Sequence, residues 1–416
     1  MKAVIIGPGR IGCGLAGQLL QESGYDLTFL ARNRELAAHL NRTGCYRVQL
    51  TGPTQWKEVT VGGLCAVWIE DEPAAVRALA EADVIGTAVG PQNLPAIAPL
   101  LAKGLARRNQ PANVLAFENL INAGPCLRRL VRQRLRGPAA AVDHGFSGAL
   151  VSRAVTQRLG SLDCDEPLLF IGDTPEKFMV HGPALRRPLP VIKGMVATDN
   201  YAMWVLRKLY VFSAGHATAA YLGQLKGYHY IHTAVHDPEI RAAVLAAMAE
   251  GQQGLAARFG KEIAGEENEL PMIMARFENA GLNDPIQRVG RDPRRKLSAN
   301  ERLVGAAKLA QKAGVLPAKL ALAAAAALCF CDPADPSCSE LHSFVRNSGV
   351  EKALAEICGL DPGSPVGRSV AGCWEQLALG WQPGNLMLSL DRCMWSWSNG
   401  PQPVPVKVQN YGPPQA

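Results

Sequence analysis

The chain is 416 residues long, 48% apolar and 19% charged, with a formal charge of +7. Those figures describe a globular chain large enough for two or three domains and exclude a fibrous or low-complexity one. The positive charge is spread over many segments instead of forming a basic stripe with interleaved aromatics. A nucleic-acid surface is thereby excluded, and a mild attraction for anionic small molecules remains.

The start, MKAVIIGPG, is interrupted by glycine too soon to be a secretory signal, and no segment reaches the roughly 18 uncharged apolar residues of a membrane span. Eleven cysteines lack a repeating spacing, so reduced thiols in a cytoplasmic protein are expected. Cys329, Cys331 and Cys338 cluster without a histidine pair, and no metal site is expected there.

Residues 2–6, KAVII, have the continuous apolar character of a parallel strand and run into GPGRIGCG. Gly7, Gly9 and Gly12, with Arg10 and Ile11 between them, fit G-x-G-x-x-G at a strand-to-helix turn. A Cβ there would keep the backbone from a pyrophosphate held at the helix N-terminus. An amphipathic helix (Leu15, Leu19, Leu20) and a second strand, DLTFLAR, follow at the spacing of a dinucleotide-binding unit. That strand ends Ala31-Arg32-Asn33-Arg34, with no carboxylate for the NAD ribose and two guanidiniums suited to the 2′-phosphate of NADP. NADP is favoured over NAD, although both arginines could simply be solvated at a helix start.

AVWIE (66–70), ADVIGTAVG (82–90) and NVLAFEN (113–119) read as further strands alternating with helices, the pattern of a doubly wound α/β sheet. Ligands bind at the carboxyl ends of such strands. Ala88, Val89 and Gly90 would let the backbone lie against the nicotinamide ribose, and Glu118 and Asn119 would come beside the nicotinamide. Asn119 could donate to a substrate oxygen or be an ordinary turn former.

A proline-rich connector, HGPALRRPLPVIKGM (181–195), reads as a linker between a Rossmann domain (1–185) and a helical domain (196–380). Helical periodicity covers 199–213, 214–226, 237–259, 297–313 and 316–331. In WVLRKLYVFSAGHATAAYLG (204–223), Val205, Leu209, Phe212 and Leu222 fall on a helical period, which puts Lys208 and His216 about two turns apart near one face of a buried helix. Burial would favour a neutral amine able to take a proton from an alcohol. A snorkelling lysine and a satisfied core histidine are the plainer alternative. Arg288, Arg291, Arg294, Arg295 and Lys296 place five cations among nine residues with Asp292 as the counter-charge. They could clamp a phosphate or carboxylate, or be a solvated cluster. Residues 381–416 form an irregular proline-rich tail that packs in part through Trp395 and Trp397.

The motifs GPGRIGCG, AVGP, ENLINAG, TDN, RKLYVFSAGHATAAYLG, RFEN and RVGRDPRRKLSANERL together make the chain resemble the polyol-specific long-chain (mannitol) dehydrogenase family over about residues 1–375. The resemblance implies an N-terminal Rossmann domain, a mostly α-helical C-terminal domain and an active site in the cleft between them. It implies hydride transfer between NAD(P) and a polyol or polyol phosphate, most like mannitol 1-phosphate and fructose 6-phosphate, without a metal. In the family pattern K-x-x-x-x-N-x-x-H, Lys208 falls on the general base and His216 on the histidine, while Ser213 replaces the asparagine. Asn119 aligns with a second oxygen-binding asparagine, and Arg288 and Lys296 align with the substrate-binding pair. Val151-Ser152-Arg153 stands where the family has V-D-R, which makes Ser152 and Arg153 candidate substrate contacts. Two other readings stay open: a reductase of a sugar acid or unphosphorylated ketose, and a dinucleotide-binding sensor without turnover. The expected partner is a small anionic or polyol substrate, with no nucleic acid and no membrane, in a monomer or small homo-oligomer.

Overall fold

A computed structural model describes residues 1–52, 56–136, 141–266 and 268–378. The tail read as residues 381–416, with Trp395 and Trp397, lies outside the described residues. The chain forms two compact units, Met1–Lys208 with Pro271–Asp284, and Leu209–Leu270 with the described residues from Pro285 on.

The first unit holds an α/β sheet. Strands β1 (Lys2–Ile6), β2 (Asp26–Ala31), β3 (Cys45–Thr51), β4 (Trp56–Gly62), β5 (Leu64–Trp68), β6 (Val84–Thr87) and β7 (Asn113–Ala116) are followed by β8 (Gly145–Val151), β9 (Val155–Leu159), β10 (Leu169–Asp173), β11 (Phe178–His181) and β12 (Met195–Thr198). The larger sheet has the order β12-β11-β8-β7-β6-β1-β2-β5. Its segment β5-β2-β1-β6-β7-β8 is parallel throughout and has the strand order of a dinucleotide-binding sheet. From Ala3 to Ile6 β1 is apolar at every position because both faces are covered. Ala3 and Ile5 join a core that includes Leu15, Leu19, Phe29 and Tyr46, while Val4 and Ile6 join another with Ala75, Leu79, Leu101 and Leu127.

A second sheet, β4-β3-β10-β9, packs over the first of these cores. Tyr46 of β3 meets Phe29 of β2 and Phe170 of β10 edge-on, at centroid distances of 6.0 and 5.4 Å. The proline-rich connector joins β11 to β12, parallel neighbours in one sheet, and the first compact unit runs on to Lys208. Residues 271–284 return to the first unit, where Arg276 pairs with Asp173 at 2.6 Å and Asn279 donates to the Thr51 carbonyl at 2.8 Å.

The second unit is helical. Its central helix, Pro238–Phe259, packs against Ser213–Leu225, Val304–Lys312 and Ala318–Leu328. The last of these, alanine-rich, is buried at every position from Leu320 to Leu328. The helical stretch that begins at Tyr201 runs to Leu225, but Lys208–Phe212 is a π-helical turn.

Candidate active site

Four parallel strands end at one edge of the first unit, and the residues after them converge there. After β1, Gly7 has φ +101° and a Cβ on it would stand 2.6 Å from the Ala88 oxygen; on Gly12 it would overlap the Gly7 oxygen. On Gly9 it would meet nothing within 4 Å. The turn is therefore closed on the protein side and open on the outer side, the shape a pyrophosphate needs to reach backbone amides.

After β6, Ala88 is held by its amide on the Ile6 oxygen (2.9 Å), which ties Ala88-Val89-Gly90 to β1. Glu118, which follows β7, is buried, and burial raises its pKa. Its carboxylate accepts from the amides of Val89 (2.9 Å) and Gly90 (2.8 Å). Each oxygen thus takes one bond in shaping the turn beside it. Asn119 is exposed on the same edge.

After β2, Arg32 is exposed. Asn33 caps the helix Arg34–Thr43 by accepting from the Leu36 amide at 2.6 Å, so its side-chain oxygen is structural. The Arg34 guanidinium, exposed at the first turn of that helix, lies 5.3 Å from the Trp68 ring centroid, a cation–π contact. Arg10 donates to the Thr156 oxygen at 2.9 Å, and Ile11 is half-buried within the glycine turn.

Val151-Ser152-Arg153 does not present Arg153 to a substrate. Arg153 is 3% exposed and donates to the oxygens of Gly14 (2.8 Å), Gln18 (2.7 Å) and Pro175 (3.0 Å). Ser152 is exposed, and its carbonyl accepts from Arg276.

On the helical stretch from Tyr201 to Leu225, Lys208 and His216 are half-buried and Ser213 is buried. Phe212 packs edge-on against the His216 ring at 5.7 Å. The Arg288–Lys296 cluster separates into different roles. Arg294 pairs with Glu340 (3.1 Å), and Arg295 pairs with Asp292 (2.5 Å) and Glu301 (3.1 Å), as a solvated cluster would. Lys296 is 6% exposed, and its ammonium donates to the carbonyls of Val289 and Arg291. Burial, reinforced by Arg302 and Arg295, drives its pKa well below the usual lysine range. Two of its donors fasten the loop that follows Arg288. Arg288 itself is half-buried.

Two family comparisons bear on these residues. The mannitol dehydrogenase Rossmann domain matches residues 1–190, and the mannitol dehydrogenase C-terminal domain matches residues 200–359. The chain belongs to the mannitol dehydrogenase family. Its activity is accordingly that of an oxidoreductase acting on a CH–OH group. The fold is shared with Pseudomonas fluorescens mannitol 2-dehydrogenase, crystallised as a ternary complex with NAD and D-mannitol, at 16% identity and TM-score 0.74 over 96% of this chain and 95% of that one. A D-sorbitol dehydrogenase in substrate-free form is similar at 14% identity and TM-score 0.72, over 94% of each chain. Among the described residues no helix is long and apolar enough to cross a membrane.

Within this family member, Asp173, Arg276 and Tyr46 hold the dinucleotide half together without having been singled out by type or spacing. The RFEN segment contains Arg276, which signalled importance, but nothing in it pointed to Asp173 as partner.

Proposed function

We propose that the chain is an NAD(P)-dependent dehydrogenase that interconverts a polyol, or its phosphate, and the corresponding ketose. The observation that carries the reading is the glycine turn, closed at Gly7 and Gly12 and open at Gly9, in a chain matched by both mannitol dehydrogenase domains. The exposed Arg32 and the lack of a carboxylate at the end of β2 favour NADP over NAD.

The bound nicotinamide supplies the hydride acceptor. In the oxidative direction Lys208, unprotonated, takes the hydroxyl proton while the carbinol C–H bond gives up its hydride and the C=O bond forms. Asn119 and Ser213 donate hydrogen bonds to the oxygen as negative charge develops on it, which favours the transition state over the ground state. His216 orients the substrate or the lysine. Arg288 receives the anionic end of a phosphorylated substrate, and Ser152 is the remaining candidate contact from its segment.

A second reading has specific support. Two donors of Lys296, the second cation expected for a phosphate, are taken up by carbonyls, which favours an unphosphorylated ketose or a sugar acid. One experiment separates these: NADH and NADPH absorbance followed with fructose 6-phosphate, fructose and a set of ketoses and keto acids. A phosphorylated substrate predicts oxidation of one cofactor by fructose 6-phosphate, and either substrate predicts turnover lost about a hundredfold or more in Lys208→Ala. Oxidation only by uncharged ketoses or keto acids selects the second reading. No oxidation by any of them, or full turnover in Lys208→Ala, overturns the mechanism.

A further inference from the structure

The helix that opens at the glycine turn leaves α geometry after Arg10 and Ile11: residues Gly12–Gly17 form a π turn before α geometry resumes at Gln18–Glu22. Widening a turn lets one more residue pass per hydrogen bond, so a carbonyl inside it loses its helical donor and needs another. Two side chains from outside the helix supply donors. The Tyr46 hydroxyl reaches the Cys13 oxygen at 3.0 Å, and Arg153 reaches the Gly14 oxygen at 2.8 Å while also holding the Gln18 amide oxygen one turn on. The fit allows no side chain in between. A Cβ on Gly14 would stand 2.7 Å from Val155, and one on Gly17 would overlap the Tyr46 hydroxyl. Arg153 is held in this position although its remaining terminal nitrogen is buried with no partner among the described residues, an arrangement costlier than an apolar side chain in its place.

We propose that Arg153 is a positioning residue of the dinucleotide site, which replaces the hydrogen bond forfeited by the π turn and thereby fixes how the glycine-rich helix aims its first amides. The inference rests on the reading that a dinucleotide binds at Gly7–Gly12. It gives the V-S-R segment a role in cofactor affinity, one that acts through the helix and not through the substrate.

The test compares NADH and NADPH binding, by fluorescence titration, in the unaltered chain, Arg153→Met, Arg153→Lys, Tyr46→Phe and Arg108→Met. Arg108 is a matched control in the same unit: its guanidinium serves the carbonyls of Leu79, Ala80 and Ala82 at the end of the helix Glu72–Glu81, away from the glycine turn. Arg153→Met is expected to raise the dissociation constant about tenfold or more, and Arg153→Lys to recover part of that by serving one carbonyl. Tyr46→Phe, which removes a single hydroxyl and keeps the ring, is expected to raise it about threefold. Arg108→Met should lower the melting temperature and leave the dissociation constant unchanged. With a turned-over substrate, the loss falls on KM for the dinucleotide and not on kcat. Unchanged affinity in Arg153→Met, or a rise no larger than in Arg108→Met, overturns the proposal. Should Arg153→Met not fold, unchanged affinity in Tyr46→Phe overturns it. If the unaltered chain binds neither nucleotide, the dinucleotide reading itself falls, a result distinct from unaltered binding in the variants.

Discussion

Gly251→Ala tests whether the π turn at Lys208–Phe212 sets the direction of the proposed base. Gly251 lies in the central helix Pro238–Phe259, and a Cβ on it would overlap the Tyr210 carbonyl oxygen and stand 3.0 Å from the Tyr210 carbonyl carbon. The obstacle is backbone, so the helices must part or the turn must tighten; overpacking of this kind costs about 1–3 kcal/mol. The consequence for Lys208 follows from pitch. Eight residues of α-helix carry His216 about 80° around from Lys208, whereas a π residue turns roughly 18° less than an α residue. Over the π turn Lys208–Phe212 that difference cancels most of the offset and brings Lys208 into one stripe with Phe212 and His216. Forcing the turn back to α pitch would swing the lysine away from that stripe. Gly254→Ala is the control, with its Cβ 2.8 Å from the Ala310 nitrogen on a different helix contact. Urea denaturation should show both variants destabilised. Turnover should fall about tenfold or more in Gly251→Ala alone, as misplacement by about 1 Å does. A Gly251→Ala protein as active as the parent would refute the claim that the π turn aims Lys208.

In Glu118→Gln one carboxylate oxygen becomes an amide NH2 facing a backbone N–H, so either Val89 or Gly90 loses its acceptor. About 1–3 kcal/mol of stability is expected to be lost, and NADH or NADPH binding to weaken with it, read by calorimetry and fluorescence titration. Glu250 accepts from the amides of Lys319 and Leu320 at 2.9 Å each, and burial pushes its pKa up to about 7 from 4.5. The folded chain therefore holds this proton more tightly than the unfolded one: the stabilisation is complete below about pH 4.5 and is lost as pH rises through about 7, a change on the order of 3 kcal/mol. Glu250→Gln should abolish that part of the slope in denaturation measured from pH 4.5 to 7.5.

The dinucleotide half was legible because its signals are local. A glycine that must have no Cβ, a strand apolar on both faces and a helix that begins where the strand ends all lie within a few residues of one another, and Gly7, Gly12 and β1 behave as that logic requires. The second sheet was not legible. β3 and β4 lie close in sequence, but β10 pairs with β3 from more than a hundred residues away, and no pattern within either strand announces a partner so distant. The pairing of β11 with β12 across the connector 181–195 was hidden for a related reason, since prolines mark the absence of periodicity and say nothing of whether the flanking strands are neighbours. The π turns are hidden in principle, because reading apolar positions at a fixed 3.6 spacing presupposes the pitch that these helices abandon at Gly12–Gly17 and Lys208–Phe212.

Charge was the least transparent signal, and two cations show why. Arg153 and Lys296 were singled out as cations in motifs, and a cation near an active site suggests an anionic ligand. A backbone carbonyl is also a hydrogen-bond acceptor, and a loop or widened turn leaves carbonyls without helical donors. Arg153 meets that demand at Gly14, and Lys296 meets it at Val289 and Arg291. Arg32 is exposed and Arg288 half-buried. Whether a cation serves ligand or fold is therefore decided by the carbonyls its neighbours leave unpaired, a property of the folded chain and not of residue type.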